Sequence, residues 1–164
     1  MAFRPATVED LPAIVALLAD DPLGAPREAN LDPLPKAYHD AFARMQQQPG
    51  NDLIVAVDQD SVIQGCLQLT ITAGLARQGL IRATIEGVRI AKAHRGTGLG
   101  TRLFEHAIGL AKAAGCGMIQ LTTDSQRTEA HGFYTRLGFT PSHVGMKLTL
   151  SPHDAPEQTR IRHG

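Results

Sequence analysis

Three glycines stand on alternate positions, Gly96, Gly98 and Gly100, within "VRIAKAHRGTGLGTRLFEHA", after an apolar run and before a helical pattern. Glycine loses more backbone freedom on folding than any other residue, so this density implies a place that requires bare backbone. A tight turn accounts for part of it. The chemistry that uses all three is anion binding. At the mouth of a helix, unpaired N–H groups and the positive end of the helix dipole face an incoming phosphate, and side chains would stand in its way. Two phosphate patterns fail on residue identity. A P-loop needs GxxxxGK followed by Ser or Thr, yet no lysine precedes Thr101; the dinucleotide fingerprint GxGxxG meets Thr101 or Leu103 where its last glycine belongs. What remains is Arg95-Gly96-Thr97-Gly98-Leu99-Gly100, with a cation at its head.

Such a mouth must be held between a strand and a helix, and the flanking patterns supply both. Upstream, "GLIRATIEGVRIA" is rich in β-branched residues; downstream, Leu99, Leu103, Ala107, Leu110 and Ala114 repeat with a helical period until Gly115. Toward the N-terminus, "FRPAT" reads as an edge strand. Thr7 with Asp10 three residues on reads as a cap for a helix that buries Leu11, Ile14, Val15 and Leu18. A Pro- and Gly-rich loop, "DPLGAPREANLDPLP", leads to a second helix with Ala37, Tyr38, Ala41, Phe42 and Met45 on one face. "DLIVAVDQ" and "SVIQGCLQLTITA" form a hairpin around Asp60, and after the glycine helix come a strand "GMIQLTTD", a helix "QRTEAHGFYTRLG" and a last strand within "FTPSHVGMKLTL". The order is strand, two helices, three strands, helix, strand, helix, strand.

The R/Q-x-x-G-x-G/A pattern between a strand and a helix resembles the coenzyme A pyrophosphate motif of the GNAT superfamily of N-acetyltransferases. "AHGFYTRLGF", from Ala130 to Phe139, looks like that family's A-x-x-FYxxxGF segment, at the right distance and in the same order of elements. The resemblance runs from "FRPAT" to "MKLTL". It implies an α/β fold, a central mixed and mostly antiparallel twisted sheet of six to seven strands flanked by four helices. It also implies acetyl-CoA as cosubstrate, with no metal. Residues 1–150 would form the one domain, and 151–164 a polar tail without an apolar face.

In that family the strand before the glycines parts from its neighbour and offers its backbone to the pantetheine arm, here Val88, Arg89 and Ile90. The Ile90 amide is where a thioester carbonyl would be polarised. Arg95, Gly96, Thr97, Gly98, Leu99, Gly100 and Thr101 would hold the diphosphate. Many relatives carry an asparagine after the fifth strand; "TTDSQRTEAHGFY" offers Asp124, Ser125, Gln126 and Arg127 instead, with Gln126 the substitute amide or Arg127 a phosphate contact. Tyr134 matches the tyrosine that protonates the departing thiolate, and an ordinary phenol is protonated at neutral pH. Glu86, the one carboxylate in its strand, is the candidate base; strand alternation puts it on one face with Val88 and Ile90, and burial would make it a stronger base. The competing reading is a half-exposed charge paired with Arg82 or Arg89.

Bulk composition narrows the partners. The 164 residues are 43% apolar and 20% charged, with 16 basic and 16 acidic residues, so no global field attracts nucleic acid or an acidic membrane. No apolar run is long enough to span a bilayer, and the N-terminus lacks a signal peptide's pattern, which implies a cytoplasmic protein. Cys66 and Cys116 read as buried thiols, and the seven histidines show no metal spacing. The family resemblance implies a small-molecule or peptide amine as the acceptor. Asp20, Asp21, Glu28 and Asp32 in the first long loop are candidates to attract a cationic one. A homodimer through the C-terminal strand is compatible with the pattern, as is a non-catalytic acyl-CoA sensor.

Overall fold

The computed structural model describes residues 1–21, 24–125 and 127–150. Five strands, β1 (Ala2–Pro5), β2 (Asn51–Val57), β3 (Ile63–Ala73), β4 (Ile81–Ile90) and β5 (Met118–Leu121), form one sheet in the order β1-β2-β3-β4-β5. The first three junctions are antiparallel and β4–β5 is parallel. Four helices of nine or more residues accompany it: α1 (Leu11–Ala19), α2 (Lys36–Gln46), α4 (Leu99–Ala113) and α5 (Thr128–Arg136). Between β3 and β4 lies a four-residue turn, α3 (Ala76–Gly79), with Arg77 and Gln78 at positive φ.

Strand alternation sorts the core into two layers. Ile54, Ala56, Leu67, Leu69, Ala83 and Ile85 meet Leu99, Leu103, Phe104, Ala107 and Ala111 of α4. Val55, Val57 and Cys66 point to the opposite face, where Ile14 of α1 covers them. Burial of the Cys66 thiol pushes its pKa up to about 12, so it is an inert core group, whereas Cys116 is only half-buried. The buried stripe of α4 passes through Phe104 and Ala111 as well as Leu99, Leu103 and Ala107, while Leu110 is exposed at its edge and Ala114 caps the helix beyond its last turn. On α2 the helix period holds, but Phe42 alone is buried, and Ala37 and Ala41 are exposed.

Two irregularities in β4 shape the site. Cys66 pairs with Arg89 and Gln68 with Glu86, so Gly87 and Val88 face the single residue Leu67 across the ladder. This is a β-bulge, and Gly87 supports it at φ 61. The bulge shifts the alternation by one. Val88 and Ile90 pack against the α4-side core with Ala83 and Ile85. Glu86, next to Ile85, therefore faces the α1 side, not the side of Val88 and Ile90 as unbroken alternation requires. The second irregularity is at the β4–β5 junction, where pairing runs from Arg82↔Met118 to Ile85↔Leu121 and ends. β5 stops there, and β4 continues to Ile90 with no strand paired on that edge among the described residues.

The sheet has five strands, not six or seven, among the described residues: residues 139–150 carry no strand. Their apolar alternation is real, but Val144, Met146, Leu148 and Leu150 are 85–93% exposed, so no neighbour supplies the ladder a strand needs. The polar tail, 151–164, lies outside the described residues.

Candidate active site

The glycine loop follows β4 beyond the end of the β4–β5 ladder. Gly98 caps α4 in the left-handed region at φ 82, and Gly96 has φ 76, conformations that favour glycine. A Cβ at Gly96 or Gly98 would meet nothing within 4 Å, whereas one at Gly100 would lie 3.5 Å from Phe133 and 3.8 Å from Ile90. The first two keep the mouth open; the third faces Phe133 and Ile90, where a Cβ would make ordinary contact. The first intrahelical bond runs from the Arg102 amide to the Gly98 carbonyl, so the amides of Leu99, Gly100 and Thr101 have no carbonyl within the helix to bind. Thr97 is exposed and folds back on the turn: its amide and hydroxyl both donate to the His94 carbonyl.

Just past β4 the Ala91 amide donates to the Gln64 carbonyl on the β3 side at 2.8 Å, so alternation turns the Ile90 amide to the opposite, unpaired edge. The carbonyls on that side already have partners. Ile90 accepts from Arg95 Nε at 3.0 Å, and Val88 accepts from Arg89 Nη1 at 2.8 Å. Donors therefore dominate this edge, which suits a group that develops negative charge on oxygen.

Tyr134 lies half-buried in an aromatic cluster, 5.6 Å from Phe104, 5.4 Å from Phe133 and 6.1 Å from Phe139 between ring centroids. Burial raises its phenol above the usual value of 10, and the charges of Arg127 and Arg89 offset part of that rise. The group stays protonated through the neutral range. Glu86 is exposed, so the burial its role as base calls for is absent from the chain alone.

The loop after α1 closes over the same region. Asp20 holds Arg95 at 2.9 Å, and Asp21 holds Arg127 at 2.5 Å while standing 3.6 Å from Arg89. Burial pushes the Asp21 carboxyl up, but the Arg127 hydrogen bond, the two guanidinium charges and the Gly24 amide outweigh it and hold it below its ordinary value. Glu28 accepts from the Tyr38 hydroxyl at 2.8 Å. Among the described residues three of the four loop carboxylates thus have partners, and Arg127 turns to Asp21. Gln126, with Pro22 and Leu23 of the loop, lies outside the described residues. Sequence reading missed this network because its pairs are 75 and 106 residues apart. Among the described residues no three His, Cys, Asp or Glu side chains are grouped to hold a metal, and no helix is long and apolar enough to cross a membrane.

A parallel ladder that ends beside a glycine-mouthed helix is the arrangement the family resemblance implies, and comparison with known proteins agrees. The model of the acetyltransferase (GNAT) family matches residues 16–139, and the chain belongs to that family. It is similar to an aminoalkylphosphonate N-acetyltransferase from Salmonella typhimurium, 29% identical over 147 residues that cover 90% of each chain. A streptothricin acetyltransferase from Streptomyces lavendulae is 33% identical over 85 residues, 52% of this chain and 42% of that one. Among solved structures, a protein described as a transcriptional regulator from Bacillus halodurans C-125 aligns with a TM-score of 0.87 at 49% identity, covering 90% of this chain and 98% of that one.

Proposed function

We propose that this protein transfers the acetyl group of acetyl-CoA to the primary amine of a small molecule or peptide by direct attack. The observation that carries this reading is the stretch of β4 from Glu86 to Ile90 that runs past the end of the β5 ladder toward the open mouth formed by Gly96 and Gly98. The residues fit the coenzyme: two left-handed glycines leave room where a diphosphate would stand, and the amides of Leu99, Gly100 and Thr101 are its donors. Arg95 contributes charge from the loop head, and Thr97 lines the turn. Gln126 remains the proposed amide contact. Bound acetyl-CoA supplies an activated acyl group and a thiol leaving group.

The chain's own groups then have distinct tasks. Val88, Arg89 and Ile90 present the β4 backbone to the pantetheine arm, and the Ile90 amide donates to the carbonyl oxygen. Tyr134 holds the proton that the departing sulfur takes. Glu86, on the α1 side of β4, receives the proton of the attacking amine, directly or through a water. The two curated relatives acetylate small molecules by their names, an aminoalkylphosphonate and streptothricin, which supports a small-molecule acceptor.

Calorimetric titration with acetyl-CoA, followed by thiol release against a panel of amines, tests the proposal. Binding with amine-dependent release is expected; absence of binding overturns it. The alternative, a sensor that binds acyl-CoA without turnover, is favoured by the 49% identical protein described as a transcriptional regulator. It predicts binding with no release from any amine.

A further inference from the structure

We propose that Arg89 and Arg127 form a receptor for an acidic group on the acceptor, so that the amine acetylated here belongs to a molecule carrying a carboxylate or a phosphonate. This deepens the acetyltransferase reading and rests on it. The guanidiniums come from separate elements, β4 and the start of α5, and meet at the loop after α1. Among the described residues one carboxylate, Asp21, pairs with both. Two cations against one anion leave the cluster net positive.

A clamp built solely to hold the loop would match its donors to acceptors, and Arg89 does not. Of its five N–H groups, one hydrogen bond is made among the described residues, from Nη1 to the Val88 carbonyl. Its Nη2 stands 3.6 Å from Asp21, a charge contact rather than a hydrogen bond, and its buried Nε has no partner among the described residues. The side chain is 20% exposed, so water does not freely replace what is missing. An oxyanion with several acceptor lone pairs would complete it.

The position suits an acceptor. Both guanidinium charges reach the Tyr134 phenol, and Arg89 shares the α1-side face of β4 with Glu86. These two lie three residues apart, at most about 10 Å along the strand. A short aminoalkyl acid can then place its ammonium end at Glu86 and its acidic end at the arginines. Three of the loop's four acidic residues, Asp20, Asp21 and Glu28, are by contrast already engaged, which argues against a purely cationic acceptor.

The test measures thiol release at saturating acetyl-CoA with n-propylamine, β-alanine and 2-aminoethylphosphonate. The wild type is expected to favour the two anionic amines over n-propylamine by about tenfold or more in kcat/KM. The better of the two distinguishes carboxylate from phosphonate. Arg127→Gln is expected to collapse that preference through a rise in KM larger than any fall in kcat, a split that general loosening of the fold would not give. Equal use of all three amines by the wild type, or an undiminished preference in Arg127→Gln, overturns the receptor. A titration of propylphosphonate, which has no amine, into protein without coenzyme keeps the two readings separate. If no amine releases thiol, the transferase reading fails. Binding of propylphosphonate that is lost in Arg127→Gln and weakened in Arg89→Lys then still supports the anion site, and no binding to the wild type overturns it.

Discussion

A methyl group added at Gly100 and one added at Gly98 have opposite consequences. At Gly100 the Cβ would make ordinary contact with Phe133 and Ile90, and alanine favours a helix over glycine by about 0.5–1 kcal/mol. Gly100→Ala is expected to stabilise the fold slightly and keep coenzyme affinity. At Gly98 the backbone is left-handed, which for an L-residue costs about 1–2 kcal/mol, and the methyl would enter the open mouth. Calorimetry on folded Gly98→Ala is expected to show acetyl-CoA affinity lower by about tenfold or more; equal affinity in both variants would place the diphosphate elsewhere. Tyr134→Phe keeps the ring among Phe104, Phe133 and Phe139 and removes only the proton. Loss of a general acid lowers kcat by about 100-fold or more. Because burial raises the phenol above 10 despite the two arginines, its protonated form is lost only as pH climbs past that value. The kcat profile should therefore show no falling limb from Tyr134 between pH 7 and about 10; a limb near pH 8 that disappears in Tyr134→Phe would refute the assignment.

At the scale of elements, the entry into α1 makes a prediction of its own. Asp10 is 11% exposed in its side chain, accepts from the Thr7 amide at 2.7 Å, and takes a two-pronged contact from Arg4 at 2.6 and 2.9 Å. It thereby ties β1 to the helix start. Removing a cap and a charged pair together costs about 2 kcal/mol, so Asp10→Ala should lower stability by that order in urea melts at pH 7. The Arg4 hydrogen bond, followed by the Thr7 amide, overcomes burial and holds the Asp10 carboxyl below its unfolded value. The stabilisation is present above pH 4 or so and fades as pH falls through the folded value, so the gap between wild type and variant should narrow toward pH 3. The Thr7–Asp10 spacing that announced this entry is local, and so are the helix periods and the loop glycines, which is why they are legible in the sequence. The β4 bulge is not. Its φ at Gly87 answers to pairing with β3, and counting by twos from Glu86 carries the wrong parity beyond it. The Asp20–Arg95 and Asp21–Arg127 pairs are silent for the same reason: each joins elements that only the folded sheet brings together.

Taken whole, the molecule is a sheet with helices on two faces, and its order of elements follows from the alternation of strand and helix patterns along the chain. What that pattern did not settle is whether the last apolar alternation finds a neighbour. Val144, Met146, Leu148 and Leu150 share one parity and are 85–93% exposed, while Leu67 and Leu69 of β3 are buried at 0% and 1%. Exposed side chains that touch nothing contribute little to folding, so the double substitution Met146→Ser with Leu148→Ser should change stability by no more than about 0.5 kcal/mol. Amide hydrogen exchange supplies the independent check. Residues 143–150 should exchange at rates near those of an unstructured chain, and the β3 amides around Leu67 should exchange only with global opening. Slow exchange at 143–150, together with a loss above about 2 kcal/mol in the double variant, would mean that the stripe is covered in solution. The sheet would then have a sixth strand, as the alternation of its residues implies.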